Sequence, residues 1–396
     1  MFASRTNWRL TPNRFAVALE EHRRGGKSLI DLTNSNPTAC GFRYPEARLF
    51  AALKDSRALL YEPASQGLRP AREAIADYYR GRSGFFGDGP AVESARIVMT
   101  SGTSEAYSFV FRLLCEPGDE VLVPAPSYPL FQYLADLADV RPVSYPLVYD
   151  DGWLIDFGRF SAALSTRSRA LILVHPNNPT GSFIKKHEAH KLAEICASRD
   201  LAIIADEVFL DYADTADPPR SFAFDSPALT FTLSGLSKIS LLPQMKLAWI
   251  VASGPASAVE QAMQRLEVIG DTYLSPSTPG QLALAEMLSI REEMQAQMRQ
   301  RLCANLGFLD SLLEKRDTVE RIRREGGWYA VLRVPATAPD EDLAIKLLES
   351  SGVLAHPGHF FDFPQDGFLV VSLILPEAEF REGMQRLYRF IRETIL

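Results

Sequence analysis

The sequence predicts an α/β fold, with a large unit on a mainly parallel sheet followed by a smaller α+β unit. Three observations carry this. From about Arg96 to Ala252, the apolar runs ARIVMT, EVLVPAP, RALILVHP, LAIIADE, ALTFTLSG and LAWIVA occur, most of them separated by helical segments. Strands that are apolar throughout are covered on both faces. The motifs SGTS, PSYP, NNPTG, DEVF and SGLSK fall at five strand ends, where open α/β sheets place their sites. A long helical region then runs from Thr278 to about Lys315, and a shorter strand–helix alternation follows it. The expected division is an N-terminal segment 1–45 packing with the small unit, a large domain 46–290 and a small domain 291–396.

In chain order, Thr11 to Arg24 reads as a short amphipathic helix. SLIDLTNSNPTACGFRYP is a short strand entering an Asn-, Pro- and Gly-rich loop. YEPASQGL is a loop, and REAIADYY continues as helix. In the large unit, EAYSFVFRLLC, YPLFQYLADLA and KHEAHKLAEICASRD are the helices between strands. Beyond the long helical region come WYAVLRVP (strand), DEDLAIKLLESSG (helix), VLAHPG and FLVVSLIL (strands) and AEFREGMQRLYRFIRETI (helix).

Composition removes several classes. A formal net charge of −7 argues against nucleic-acid or anionic-membrane partners, which need a basic face. A regulator built on such a fold would carry a DNA-binding domain, for which the segment before Asp31 is too short. The start MFASRTNWRL lacks a signal peptide's apolar run, and no apolar stretch is long enough to span a bilayer. Cys40, Cys115, Cys196 and Cys303 form no CxxC pair, as expected of reduced thiols in the cytoplasm. His187 and His190 lack a third ligand nearby, so no metal site is expected.

The chemistry centres on FTLSGLSKISLLPQMKLAWIVA (Phe231 to Ala252), which presents Lys238 and then Lys246 between two apolar strands. Burying an ammonium is costly unless it is paired or neutralised, and one use of such a lysine is a Schiff base with a carbonyl. A surface turn with two solvated lysines is the plainer reading. Ser101, Gly102, Thr103 and Ser104 stand where a strand becomes a helix, which suits a phosphate or a simple N-cap. Tyr128 could stack on a planar ring or be a half-buried core tyrosine. Asn178, in HPNNPTG, could donate to a phenolic oxygen or merely shape an Asn-Pro turn. Asp206 ends an apolar strand, and a buried carboxylate needs a cation such as a pyridinium nitrogen.

Together these residues resemble the class I/II aminotransferases, over nearly the whole chain from about Asp31. The resemblance implies fold type I, with a mainly parallel seven-stranded sheet in the large domain, and pyridoxal 5′-phosphate as cofactor. It implies that Lys238 anchors the cofactor and moves the Cα proton, and that Asp206 pairs with the ring nitrogen. Asn178 would bond the ring O3′, Tyr128 would stack on the ring, and Gly102, Thr103 and Ser104 would hold the phosphate. Tyr61, in YxxxxGL, would reach a neighbouring subunit's phosphate, which implies a homodimer with shared sites. Pro357 and Gly358 resemble the small domain's PG turn. The expected reaction moves an amino group between an amino acid and a 2-oxo acid by a ping-pong route.

Four departures stand out. Lys246 replaces a phosphate-binding arginine, and Phe209 replaces a tyrosine that bonds O3′. Gly235 replaces a serine, leaving Ser234 or Ser237 for the phosphate. Val370 stands where the family has its substrate-carboxylate arginine, with Arg43, Arg333 or the Ser35–Thr38 loop as substitutes. This last departure keeps a lyase or cyclase on the same fold open as the alternative. Asp271 would favour a basic substrate if it lies near the distal group.

Overall fold

The computed structural model describes residues 1–87, 91–215, 219–313 and 319–395. Its strands are β1 (Ile30–Asp31), β2 (Ile97–Thr100), β3 (Glu120–Ala125), β4 (Arg141–Tyr149), β5 (Trp153–Ile155), β6 (Ser168–Val174), β7 (Ala202–Asp206), β8 (Thr230–Gly235), β9 (Ala248–Ser253), β10 (Glu320–Arg321), β11 (Tyr329–Arg333), β12 (Val353–Leu354), β13 (His356–Pro357) and β14 (Phe368–Ser372). The large sheet has the order β2-β9-β8-β7-β6-β3-β4-β5. Its centre, from β8 to β4, is parallel, whereas β9 runs antiparallel to both β8 and β2.

Both faces of this sheet are buried. Val121, Ile172, Ile204 and Leu233 face the helices Thr103–Leu114 and Ala256–Tyr273. Leu122, Leu171 and Ile203 face the helix Lys186–Arg199. That two-sided burial is why these strands read as unbroken apolar runs rather than as alternation.

The described sheet has eight strands, one more than the seven expected. The addition is the edge strand β5, which forms a hairpin with β4 in which Leu147 pairs with Ile155. Pro142 and Pro146 hide β4 from a sequence reading, because proline cannot donate to a ladder. Both precede Leu147, so on that side they face no strand of the sheet.

A second sheet, β10-β11-β14-β13, forms after the long helices, and β1 pairs in parallel with β12. The N-terminal segment is therefore stitched to C-terminal elements. Ser372 N–H also donates to the Leu32 carbonyl at 2.7 Å. The first long helix is Arg14–Arg24, capped by the Asn13 side chain, which accepts the Ala16 N–H. The expected helical region is three helices, Thr278–Leu282, Leu284–Ser289 and Arg291–Leu313. Lys315 lies outside the described residues.

Candidate active site

Strand ends from the large sheet and one wall from the second sheet enclose a cavity of about 300 Å³. Among its lining residues are Thr103, Ser104, Tyr128, Asn178, Asp206, Ser237 and Lys238. Seven of the expected site residues thus meet in one place. Gly102 and Lys246 adjoin it, since a Cβ built on Gly102 would lie 3.7 Å from Lys246 Nζ. Tyr61 does not enter this cavity. It is 81% exposed, beside the exposed Leu59 and Leu60.

The acid is placed by strand alternation at the end of β7. Asp206 points to the cavity, and Glu207 points away, accepting from Ser221 Oγ and Phe222 N–H, both at 2.6 Å. Asp206 Oδ1 accepts the Val208 N–H at 3.1 Å, and Oδ2 accepts the Tyr107 hydroxyl at 3.1 Å. Burial raises the Asp206 carboxyl to about 6, and these two donors and the charge of Lys238 oppose the rise. Burial likewise lifts Glu207 to about 7.

Lys238 lies on the short helix Leu236–Ile239 at the end of β8. The lysine's own carbonyl accepts the Tyr212 hydroxyl at 2.7 Å, and the next carbonyl, Ile239, accepts the Gln295 amide at 2.8 Å. The backbone is thereby pinned while the side chain faces the cavity. Its Nζ lies 4.6 Å from the Trp328 ring centroid and 5.3 Å from that of Phe209. Desolvation lowers the ammonium to about 8, against a partial restoring pull from Asp206. An amine near neutrality, facing a buried acid, is a competent proton carrier.

Asn177 locks the turn after β6, its Oδ1 accepting the Thr180 hydroxyl at 2.9 Å. That leaves Asn178 facing the cavity, with its buried Oδ1 lacking a partner. Tyr128, 39% exposed, forms an edge contact with Phe131. Thr103 and Ser104 begin the helix Thr103–Leu114, whose free N–H groups and dipole favour an anion. Lys246 aims toward this end from a left-handed backbone (φ 52°), a conformation that costs a lysine about 1 kcal/mol or more.

The structure accounts for two of the departures. A Cβ on Gly235 would lie 2.8 Å from the Ala248 Cβ and 2.9 Å from the Leu247 carbonyl oxygen, so the close approach of β9 demands glycine there. Of the two serines offered in compensation, Ser237 lines the cavity, and Ser234 is buried within β8. Val370 is fully buried in β14, opposite Val331 and His356.

Neither substitute arginine reaches the cavity. Arg333 pairs with Glu320 at 3.1 Å, and Arg43 is an exposed residue whose N–H donates to Gln297. Ser35 does line it, next to Tyr329. Asp271 is exposed on the helix Ala256–Tyr273 and is not among the lining residues.

Sequence reasoning missed Tyr107, Trp328 and Tyr329. Tyr107 lies four residues after Thr103 and so shares its helix face, a spacing that could have flagged it. Trp328 reaches the lysine and Tyr329 lines the cavity from a distant part of the chain, and neither carries a local signal.

A buried acid and a lysine of lowered basicity share this cavity with a helix N-terminus backed by a second lysine, and that arrangement defines an amino-group-transfer fold and site. The profile for aminotransferase class I and II matches residues 28–387, and the chain belongs to this family. It is 27% identical to the glutamate-pyruvate aminotransferase AlaA of Haemophilus influenzae, over 96% of this chain and 93% of that protein. It is 30% identical to a probable aspartate/prephenate aminotransferase of Thermus aquaticus, over 92% of each. The fold matches an alanine aminotransferase from Pyrococcus furiosus with a TM-score of 0.88, covering 99% of this chain and 100% of that one at 22% identity. The chain is an aminotransferase, and the lyase or cyclase alternative raised by Val370 gains no support from these relatives.

Proposed function

We propose that the protein is a pyridoxal-phosphate-dependent aminotransferase acting on an α-amino acid and a 2-oxo acid, with Lys238 as cofactor anchor and proton carrier. The observation that carries this is the single cavity that joins Lys238 to Asp206. The residues present fit the cofactor. Asp206 has a free lone-pair direction for a ring N–H, and the buried, unpartnered Oδ1 of Asn178 can accept from a ring hydroxyl. Tyr128 offers a face to a ring, and Gly102, Thr103, Ser104, Ser237 and Lys246 suit a phosphate. When bound, the cofactor would supply an aldehyde for the amine and an electron sink for the Cα carbanion. Lys238 Nζ, held beside Trp328 and Phe209, is then the base that takes the Cα proton and returns it.

The donors named for the relatives, alanine, glutamate and aspartate, are the first substrates to test. Among the described lining residues there is no arginine, so we place the carboxylate against the Ser35 loop and the Tyr329 hydroxyl. The domain division at 46 and 291 is supported by the helix break at Ile290 and by the pairing of β1 with β12. A homodimer is supported by the exposed run of Leu59, Leu60 and Tyr61, an apolar surface that a partner would cover. Four free cysteines, two of them buried, fit the cytoplasm.

The test is an absorbance scan of the cofactor-loaded protein against a panel of L-amino acids. Conversion of the visible band to the pyridoxamine form, reversed by a 2-oxo acid, is the expected result. Release of ammonia or pyruvate without that conversion overturns the reading.

A further inference from the structure

Tyr107 sits in the first turns of the helix Thr103–Leu114, almost wholly buried, with its ring against Phe131 at 5.5 Å and Phe111 at 5.9 Å. Packing alone would be served by phenylalanine, and a buried hydroxyl is costly unless it is bonded. Its hydroxyl makes one described hydrogen bond, to Asp206 Oδ2 at 3.1 Å. The Val208 N–H donates to the other carboxylate oxygen, Oδ1, at 3.1 Å. The carboxylate is therefore gripped at both oxygens, which fixes its plane.

We infer that Tyr107 is the positioning residue for Asp206: its hydroxyl holds the carboxylate ionised and oriented, with room left at the cavity for a protonated ring nitrogen. The inference rests on reading Asp206 as the partner of that nitrogen. The groups around Asp206 support the assignment. Lys238 faces it from the end of β8 and Tyr128 from the loop after β3, and Glu207 adjoins it in the chain but is bonded to Ser221 and Phe222. The Tyr107 hydroxyl and the charge of Lys238 both lower the carboxyl's pKa, against the rise that burial imposes. Tyr107 cannot lose its own proton in this role, because burial and the Asp206 charge push its ionisation far upward. It can only donate.

The test compares wild type with Tyr107→Phe, which keeps the ring and removes the donor, and Phe111→Leu, which loosens the packing and keeps the donor. In cofactor-free protein, the ¹³C-carboxyl signal of Asp206 is assigned by its loss in Asp206→Asn and titrated. The midpoint, about 6 in wild type, should rise by about one pH unit in Tyr107→Phe, a tenfold weaker ionisation, and stay put in Phe111→Leu. In protein loaded with pyridoxal phosphate labelled with ¹⁵N in the ring, the ring nitrogen's titration should shift with the carboxyl in Tyr107→Phe and stay put in Phe111→Leu.

An unmoved carboxyl midpoint in Tyr107→Phe overturns the inference. A shifted carboxyl with an unshifted ring nitrogen also overturns it, because the phenol–carboxylate bond would then serve the fold and not the cofactor. Failure of wild type to bind the labelled cofactor refutes the proposed function instead, and the carboxyl titration still decides whether Tyr107 controls Asp206. Should Tyr107→Phe not fold, 3-fluorotyrosine at position 107, a stronger donor of similar shape, must lower the carboxyl midpoint, and no change would be fatal to the inference.

Discussion

Replacing Lys238 with methionine should stabilise the cofactor-free protein at neutral pH. The lysine's folded-state value falls from 10.5 to about 8, which at about 1.4 kcal/mol per pH unit is roughly 3 kcal/mol of burial cost. The side chain borders the cavity, where water reaches part of it, so about 2 kcal/mol is the working figure. Methionine keeps the stem length and places sulfur, a good neighbour for aromatic edges, beside Trp328 and Phe209. Asp206 loses a cation by the change but keeps the Val208 N–H and the Tyr107 hydroxyl as donors.

The sign follows from proton counting. Below pH 8 lysine is charged in both folded and unfolded chains, and the folded chain bears the whole penalty. Between about 8 and 10.5 the folded lysine releases its proton first, the unfolded chain binds more, and stability rises with pH. The advantage of methionine should therefore be full at pH 7 and nearly gone above pH 10.5. Urea unfolding of both cofactor-free proteins, followed by tryptophan fluorescence at pH 7 and 10, measures it. A variant less stable than wild type at pH 7, or a gain independent of pH, refutes the claim that Lys238 is held in a desolvated seat.

Two further outcomes are expected. Lys246→Met should weaken binding of pyridoxal phosphate about 10- to 100-fold, the loss of one charge-assisted contact of about 1.5–3 kcal/mol. Equilibrium dialysis measures this, and an unchanged affinity would remove Lys246 from the phosphate site. Val370→Arg should not restore a family-like carboxylate clamp. It should destabilise the fold by about 3–5 kcal/mol, because the new guanidinium would be buried without a carboxylate partner. A stable variant with a lower KM for amino acids would show instead that space for the clamp exists.

Much of the site was legible because its parts are contiguous with strand ends. Asn178, Asp206 and Lys238 each stand at or just after the end of a largely buried strand, and a parallel sheet gathers such ends on one edge. What stayed hidden depends on contacts between elements. Nothing near Trp328 in the sequence announces that its ring meets Lys238, and Gly235 looks like a lost serine until the approach of Ala248 is seen. The hairpin β4–β5 was concealed by two prolines whose placement before the pairing with β5 begins makes them harmless on that side.

The two rings beside Lys238 come from different parts of the molecule. Phe209 follows β7 of the large sheet, whereas Trp328 immediately precedes β11 of the second sheet. The amine's affinity for its proton is thus a gauge of the spacing between the two sheets. If they part, water enters and the lysine gains basicity. If they close, it is driven toward the neutral form in which it can accept a proton from substrate.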